Sequence, residues 1–267
     1  MSLIKSIGIY KLTPDVNPNE VLEIVGDPQF KDFQIDLGAV FSESLDIGSP
    51  EFLLMRELAA KRYPFATNFT TTARVRGKAL ESIIYNNYPA GAAEVFKQSP
   101  VIFDRVTLNI PDDTKQMSHR IKTLEHFRAN LSQISYGIRT ALLQTPENAG
   151  FIRNVLAAQQ LPEGRKNAYE LLHYPGDFDT EKFAWEVFLR AYEQNIPASA
   201  HEWCGNIGPH NVAAVLDLIY QYAPEQLRIA SHEKLLTDGK TNLNEFYKLL
   251  NNACTWELFK SSRNQKG

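Results

Sequence analysis

The segment LRIASHEK (residues 227–234) repeats the pattern of IPASAHEW (residues 196–203), which lies 31 positions earlier. Each segment runs through small and apolar residues and then presents a His-Glu pair, which begins at His201 in one and at His232 in the other. Segments of this kind at a spacing of about thirty residues are typical of strands that alternate with helices. We therefore predict repeated βα units in which both His-Glu pairs are the last residues of a strand.

Six further β-like segments precede these two, and the starts of neighbouring segments lie 27 to 38 positions apart. Eight units without a linker or a low-complexity stretch favour a single (β/α)8 TIM barrel over residues 1–267, with a flexible tail from about residue 259. The predicted strands are Ser6–Leu12, Phe33–Val40, Tyr63–Phe69, Val101–Ile110, Ile134–Leu143, Ala168–Tyr174, Ile196–Trp203 and Leu227–Lys234.

Helix signals fall between these segments. A capping side chain precedes a proline at Asn17, Ser49 and Thr145, as it does at the first turn of many helices. Apolar residues within 212–219 recur at helical spacing, and the chain from Asn242 onward predicts a closing helix. These signals support α/β alternation along the whole chain.

A doubly wound open sheet is the competing fold. Its first strand is usually followed by a glycine-rich turn that holds a phosphate. Here the corresponding residues 11–15 (KLTPD) contain no glycine. The barrel is therefore the preferred prediction.

Composition narrows the function classes. The chain has 28 basic and 31 acidic residues and no block of lysines and arginines, so a nucleic-acid partner is not expected. Cys204 and Cys254 lie outside any C-x-x-C pattern, which argues against a disulfide framework and a structural zinc site. Because no run of eighteen apolar residues occurs, we expect a cytoplasmic protein without a membrane partner. The sequence is compatible with a homo-oligomer and does not decide the oligomeric state.

Strand alternation turns every second side chain into the barrel, and chemistry in this fold takes place where the strands end. The outward apolar residues of the predicted strands leave an unusually polar interior, which favours a polar or anionic small-molecule substrate. Arg105 with Asp36, and Arg139 with Glu170, are equally suited to structural ion pairs between strands. The candidate ligand-binding residues are Asp36, Asn68, Arg105, Asn109, Arg139 and Trp203.

The sixth and seventh strands leave two choices open. Either Glu170 or His173 faces inward on the sixth strand, and either His201 or Glu202 does so on the seventh. Carboxylates and imidazoles are ligands for Mn, Mg, Zn or Co, and a divalent metal would polarise a carbonyl during proton transfer. The candidate metal ligands are Glu170, His201, Glu202 and His232, and the candidate catalytic residues are Glu170, Glu202 and Lys234.

Three function hypotheses follow. The first is a metal-assisted sugar or sugar-phosphate isomerase or epimerase, with the arginines binding an anionic group of the substrate. The second is metal-free catalysis, in which Lys234 forms a Schiff base in a lyase or Glu170 and Glu202 form a glycoside hydrolase pair. The third is a non-catalytic barrel that binds a metabolite or a protein partner. An enzyme is favoured.

Two short segments carry a family resemblance. FKDFQIDLGA (residues 30–39) resembles the F-x-x-I-E-L entry to the second strand of the xylose-isomerase-like barrel superfamily, with Asp36 at the position of the glutamate. TDGKTNLNEFYKLL (residues 237–250) is similar to the G-x-G-x-x-D-F stretch of the same superfamily. The resemblance implies a TIM barrel that binds a divalent metal and isomerises sugars.

Overall fold

The computed structural model describes residues 2–65, 69–85, 102–110, 138–145, 147–157, 169–174, 201–222 and 227–264. Eight parallel strands close into a barrel in chain order, because the last strand also pairs with the first. The predicted (β/α)8 fold is confirmed. The strands are β1 (Ile4–Ile9), β2 (Gln34–Phe41), β3 (Phe69–Val75), β4 (Arg105–Leu108), β5 (Arg139–Gln144), β6 (Glu170–His173), β7 (His201–Gly205) and β8 (Leu227–Ser231).

Helices follow six of these strands within the described ranges. They are α1 (Pro18–Val25), α2 (Pro50–Phe65), α3 (Gly77–Tyr85), α4 (Ala149–Ala157), α5 (Val212–Tyr222) and α6 (Leu243–Asn264), with a 3₁₀ helix at Pro28–Phe30. A short antiparallel hairpin, β9 (Leu236–Thr237) with β10 (Lys240–Thr241), lies between β8 and α6. Helix α6 continues past residue 259, where a tail was expected.

Capping side chains start the helices largely as predicted. The Asn17 side chain accepts a hydrogen bond from the backbone N–H of Asn19 at 3.0 Å, and Ser49 Oγ accepts one from Phe52 at 3.2 Å. The third prediction is one turn early, because α4 begins at Ala149, directly after Asn148. Asn148 Oδ1 accepts a hydrogen bond from the backbone N–H of Thr145 at 2.8 Å.

The third strand differs most from the prediction. The prediction of a strand at Tyr63–Phe69 is wrong, since residues 63–65 are the end of α2 and β3 begins at Phe69. The β3 sequence FTTTARV is rich in β-branched residues, which suit a strand. Asn68, a predicted ligand-binding residue, lies outside the described residues.

The two His-Glu pairs lie at opposite ends of the barrel. The pair that begins at His232 lies at the predicted end of the eighth strand, but β8 stops at Ser231, so the pair follows the strand and is not part of it. The pair that begins at His201 opens β7, which continues to Gly205, so the prediction that this pair ends a strand is wrong. Two identical dipeptides therefore occupy different ends of neighbouring parallel strands.

The core has two parts. Outward strand residues such as Ile7, Leu37 and Ile229 are buried in the layer between the barrel and its helices, and the apolar face of α5 is buried in the same layer. A smaller apolar group fills part of the barrel interior. The interior group consists of Tyr10, Ala141, Leu143, Leu172, Cys204 and Ala230.

Within the described residues, no helix is both long and apolar enough to cross a membrane.

Candidate functional site

Charged side chains inside the N-terminal half of the barrel form one ion-paired group, here called the basal cluster. Three of its members are the first residues of β4, β5 and β6. Parallel strands place their first residues at the same end of a barrel, and active sites of this fold form at the other end. The basal cluster consists of Asp36, Arg105, Arg139, Glu170 and Glu202.

Arg105 holds the basal cluster together. Its side chain is buried, with 1% of the residue exposed, and its Nη2 pairs with the Asp36 carboxylate. Arg105 Nη1 lies 2.5 Å from Glu202 Oε2 and 3.2 Å from Glu170 Oε2. Arg139 Nη1 pairs with Glu170 Oε1 at 2.9 Å. The two ion pairs between strands that the sequence suggested as a structural alternative are thus both present.

Tyr10 covers the basal cluster from above. It directly follows β1, and its hydroxyl contacts Asp36 Oδ2 at 3.0 Å and Glu202 Oε1. The Arg105 guanidinium lies 5.1 Å from the centroid of the Tyr10 ring. A Cβ atom at Gly8 would lie 2.6 Å from Tyr10 Cζ, so the ring occupies the space that a side chain at Gly8 would take.

Two carboxyl groups of the basal cluster, Asp36 and Glu202, have raised pKa values. Burial and the neighbouring Glu202 charge raise the pKa of Asp36 to about 8, and burial also raises the pKa of Glu202. A phenol has one hydrogen to donate, yet the Tyr10 hydroxyl contacts both carboxyl groups. This geometry favours one protonated carboxyl group at neutral pH.

A second polar group lies at the C-terminal ends of the strands, and we call it the mouth. Thr72 bonds to Asp36 inside the barrel, so strand alternation turns Arg74, two residues later on β3, inward as well. Arg74 lies opposite Thr107 in the register of β3 and β4. The Arg74 guanidinium is 5.6 Å from the Tyr10 ring centroid, so Tyr10 separates the mouth from the basal cluster. The mouth consists of Arg74, Arg76, Thr107, Asn109, Tyr174 and His232.

His232 is held neutral in the mouth. Burial, together with the positive charges of Arg74, Arg76 and Lys11, lowers the pKa of His232 to about 2. Its ring centroid lies 5.5 Å from that of Tyr174, and within the described ranges its buried Nε2 atom has no hydrogen-bond partner. A neutral imidazole can accept a hydrogen bond or a proton, but a pKa this low makes it a weak base until the surrounding positive charge is balanced.

The seventh strand sends its two predicted ligands to opposite faces. Glu202 enters the barrel, whereas His201 and Trp203 face the surrounding layer. His173 stacks on Trp203 with the ring centroids 4.4 Å apart, and its Nε2 lies 2.7 Å from His201 Nδ1. Trp203 is therefore a packing residue of the outer layer and is not placed to stack against a sugar in the barrel.

The four predicted metal ligands are not brought together. Glu170 and Glu202 bind Arg105 in the basal cluster, His201 lies outside the barrel, and His232 lies in the mouth. Over the described ranges, no group of three or more His, Cys, Asp and Glu residues is arranged to hold a metal ion. The predicted ligand set does not fit one metal, because alternation on β7 separates His201 from Glu202.

Two other predicted residues lie at the C-terminal side. Asn109 directly follows β4 and is half-buried at the mouth, with its backbone N–H bonded to Val75. Lys234 is exposed and lies three residues beyond the end of β8. Solvent exposure does not suit a Schiff-base lysine, which needs desolvation to lower its pKa.

The sequence did not indicate that Arg74 and Tyr10 belong to these sites. It also did not indicate that the Thr107 hydroxyl is buried without a hydrogen-bond partner among the described residues. Arg74 was missed because the third strand was assigned too early in the chain. The run of threonines that precedes Ala73 and Val75 could have revealed this strand, since β-branched residues favour strands. No local signal in the sequence indicates that the Tyr10 ring covers the basal cluster.

Comparisons with known proteins support the fold. No family model matches the chain, and no curated protein matches it by sequence. Active domain 2 of a chitinase from Pyrococcus furiosus is similar in structure, with a TM-score of 0.60, 9% identity and 94% of each chain covered. An Escherichia coli 3-keto-D-glucoside 4-epimerase gives a TM-score of 0.57 at 9% identity, covering 94% of this chain and 99% of that one.

A third similar structure is an endoglucanase from Thermotoga maritima, with a TM-score of 0.58, 11% identity, and coverage of 94% of this chain and 96% of that chain. Identities this low show the TIM-barrel fold alone, and a fold of this type supports many unrelated reactions. The neighbours include a sugar epimerase, yet no sequence-level match supports the xylose-isomerase-like superfamily in particular.

Proposed function

We propose that this protein is an isomerase or epimerase that moves a proton on a small sugar-like metabolite in the mouth of the barrel. The observation that carries the proposal is the neutral His232 imidazole, which lies beside the Tyr174 ring and whose buried Nε2 has no hydrogen-bond partner among the described residues. Both groups lie just beyond the C-terminal ends of their strands, where enzymes of this fold carry out their chemistry.

The chemistry needs a base and an acid on either side of the reacting carbons. His232 Nε2 is suited to take a proton from the carbon next to a carbonyl group and to return it to the neighbouring carbon, because a bound anion that balances the charges of Arg74 and Arg76 would raise the basicity of the imidazole. A phenol such as that of Tyr174 is suited to donate a hydrogen bond to the carbonyl oxygen as negative charge develops there. Both roles are assigned to side chains of this chain, and no step of the proposal passes through a metal.

The glycoside hydrolase alternative is less well supported. Its carboxylate pair would be Glu170 and Glu202, and both contact the same nitrogen of Arg105 below Tyr10. A glycosidase acid has to reach the oxygen of the scissile bond, and its partner has to reach the sugar ring. Carboxylates engaged in the basal cluster do not meet that requirement.

The test is hydrogen exchange between substrate and solvent. Aldoses, ketoses and their phosphate esters are incubated with the protein in deuterium oxide, and incorporation at carbon is followed by NMR. We expect His232→Asn to lower the exchange rate at least about hundredfold, the usual contribution of a general base. His210→Asn is the matched control, because His210 is exposed on the loop after β7. Exchange at the wild-type rate in His232→Asn would refute the proposal.

A second candidate is a barrel that binds a metabolite without catalysis. Glu233, the carboxylate next to His232, is exposed and pairs with Lys11 Nζ at 2.9 Å. Lys11 also lowers the pKa of Glu233, which makes this carboxylate a weaker base. Tight binding of a sugar derivative without any exchange of its carbon-bound hydrogens would favour this candidate.

A further inference from the structure

Arg74 is a buried cation on β3. Only 4% of the residue is exposed, and its buried Nε and Nη1 atoms have no hydrogen-bond partner among the described residues. Arg74 makes no ion pair with any residue in the described ranges. Burial lowers the pKa of Arg74 to about 10, so the side chain is still charged at neutral pH. An unpaired buried charge is strongly unfavourable, and native proteins usually supply it with a partner.

A second unpaired group lies beside it. Thr107 is 1% exposed, and no residue in the described part of the chain forms a hydrogen bond with its buried Oγ1 atom. Arg74 and Thr107 are register partners on adjacent strands, so their inward side chains are neighbours on the barrel wall. A guanidinium donates hydrogen bonds and a hydroxyl can donate one more, and together these donors match the oxygen atoms of an anion.

The surroundings of this pair carry positive charge. Arg76 is close enough to lower the pKa of Arg74, and Arg74, Arg76 and Lys11 all lower the pKa of His232. Two carboxylates of the described residues near Arg74 are otherwise engaged, since Glu202 binds Arg105 and Glu233 binds Lys11. The described residues of the mouth therefore carry an excess of positive charge that an incoming anion would balance.

We propose that Arg74 and Thr107 form a binding site for the anionic group of the metabolite, a phosphate or a carboxylate. The inference rests on the proposed function, because it names the substrate class of the same mouth. It also moves the predicted anion-binding role away from Arg105 and Arg139, whose charges are paired in the basal cluster. The anion would lie above Tyr10, with the reacting carbons toward His232.

Inorganic phosphate is the first probe, and acetate is the second. Each is titrated into the full-length protein by calorimetry, at constant ionic strength with chloride as the balancing anion. We expect wild-type protein to bind at least one of them, and Arg74→Met to weaken that binding about tenfold or more, as loss of a charge-assisted hydrogen bond implies. Thr107→Val should weaken it severalfold. Arg153→Met, on the exposed face of α4, should leave it unchanged.

Thermal unfolding separates a binding role from a structural one. A binding arginine is an unpaired charge in the free protein, so Arg74→Met should have a melting temperature equal to or above that of wild type, and phosphate should no longer raise it. A lower melting temperature in Arg74→Met, with phosphate binding unchanged, would overturn the inference. Failure of wild-type protein to bind either anion at tens of millimolar would overturn it too.

The two proposals can fail separately. Anion binding that is lost in Arg74→Met and kept in His232→Asn, without hydrogen exchange in any substrate, would leave the anion site established and remove the isomerase proposal. Exchange into neutral sugars with no preference for phosphate esters or sugar acids would keep the isomerase proposal and remove the anion site.

Discussion

The Tyr10 hydroxyl lies 3.0 Å from the Asp36 carboxylate, on the neighbouring strand of the barrel. This contact joins the first residue beyond β1 to the N-terminal half of β2, because the tyrosine side chain folds back into the barrel. The phenol thereby covers the ion pair between Asp36 and Arg105 and separates it from Arg74 above. The barrel interior is thus divided into a lower part that contains the basal cluster and an upper part that contains Arg74 and Thr107.

The close fit of Tyr10 over Gly8 predicts a costly substitution. In Gly8→Ala the new Cβ would lie 2.6 Å from Tyr10 Cζ and 2.8 Å from Ala230 Cβ, which forces the ring to move. We expect a loss of about 1–3 kcal/mol in the free energy of unfolding, measured by chemical denaturation. Gly150→Ala in α4 is the control, since a Cβ there meets no atom within 4 Å. Equal stability of the two variants would contradict the packing described here.

Removal of Arg105 should destabilise the barrel strongly. Arg105→Met would leave the Asp36 and Glu202 carboxyl groups buried without their cation, and breaking a buried ion pair costs about 3–5 kcal/mol. Denaturant titration measures the change in the free energy of unfolding. Arg153→Met removes an exposed arginine and should change it by less than about 0.5 kcal/mol. A small effect of Arg105→Met would mean that the basal cluster contributes little.

Stability should fall as the pH rises through the titration of Asp36. The pKa of Asp36 is raised from 3.8 to about 8, so between these values the native state holds a proton that the unfolded state has lost. The free energy of unfolding then decreases with pH, by about 1.4 kcal/mol per pH unit for one such proton. His232 has the opposite effect on stability below pH 6.5, the ordinary pKa of a histidine, because its own pKa is lowered on folding. Above that value, the expected decrease therefore reflects the carboxyl groups of the basal cluster whose pKa is raised, Asp36 and Glu202.

Asp36→Asn tests this dependence, since an amide stays neutral throughout. Denaturant titrations between about pH 6.5 and about pH 8 should show a smaller decrease in stability with pH for Asp36→Asn than for wild type. Asp15→Asn is the control, because Asp15 is exposed and its pKa is lowered. An unchanged slope in Asp36→Asn would show that this carboxyl group is not the one that holds the proton.

His201→Ala should leave any bound metal in place. The His201 imidazole lies outside the barrel and stacks on His173 with the ring centroids 5.0 Å apart, away from the mouth. Metal content per chain, measured by plasma emission spectroscopy, should be the same in wild type and His201→Ala, with circular dichroism confirming that both are folded. Loss of a stoichiometric metal from the folded variant would mean that His201 is a ligand after all.

Local alternation made part of this structure predictable. The apolar residues of the second and fourth strands indicated that Asp36 and Arg105 face inward, and both do so. Strand ends were much less predictable, because they depend on contacts made by residues distant in the chain. The sequence suggested that Glu202 ends its strand, whereas it lies near the start of β7. The sequence could therefore predict which of these side chains point into the barrel, but it could not predict their positions along the barrel axis.

The residues of the candidate site were likewise predictable only where their strands were placed correctly along the chain. His232 was assigned to the mouth because β8 was placed correctly, and Arg74 was missed because β3 was placed several residues too early. The sequence suggested the pairs of Arg105 with Asp36 and of Arg139 with Glu170, but it could not decide between ion pairing and ligand binding. Both arginines are paired within the basal cluster.

The space that Tyr10 fills is provided by two glycines. A Cβ at Gly38 would lie 3.0 Å from Tyr10 Cδ1, so Gly38 borders the ring as Gly8 does. Substitutions at positions 8, 10 and 38 are therefore coupled. A larger residue at either glycine is tolerable only with a smaller one at position 10. Among descendants of this chain, these three positions should change together or stay as they are.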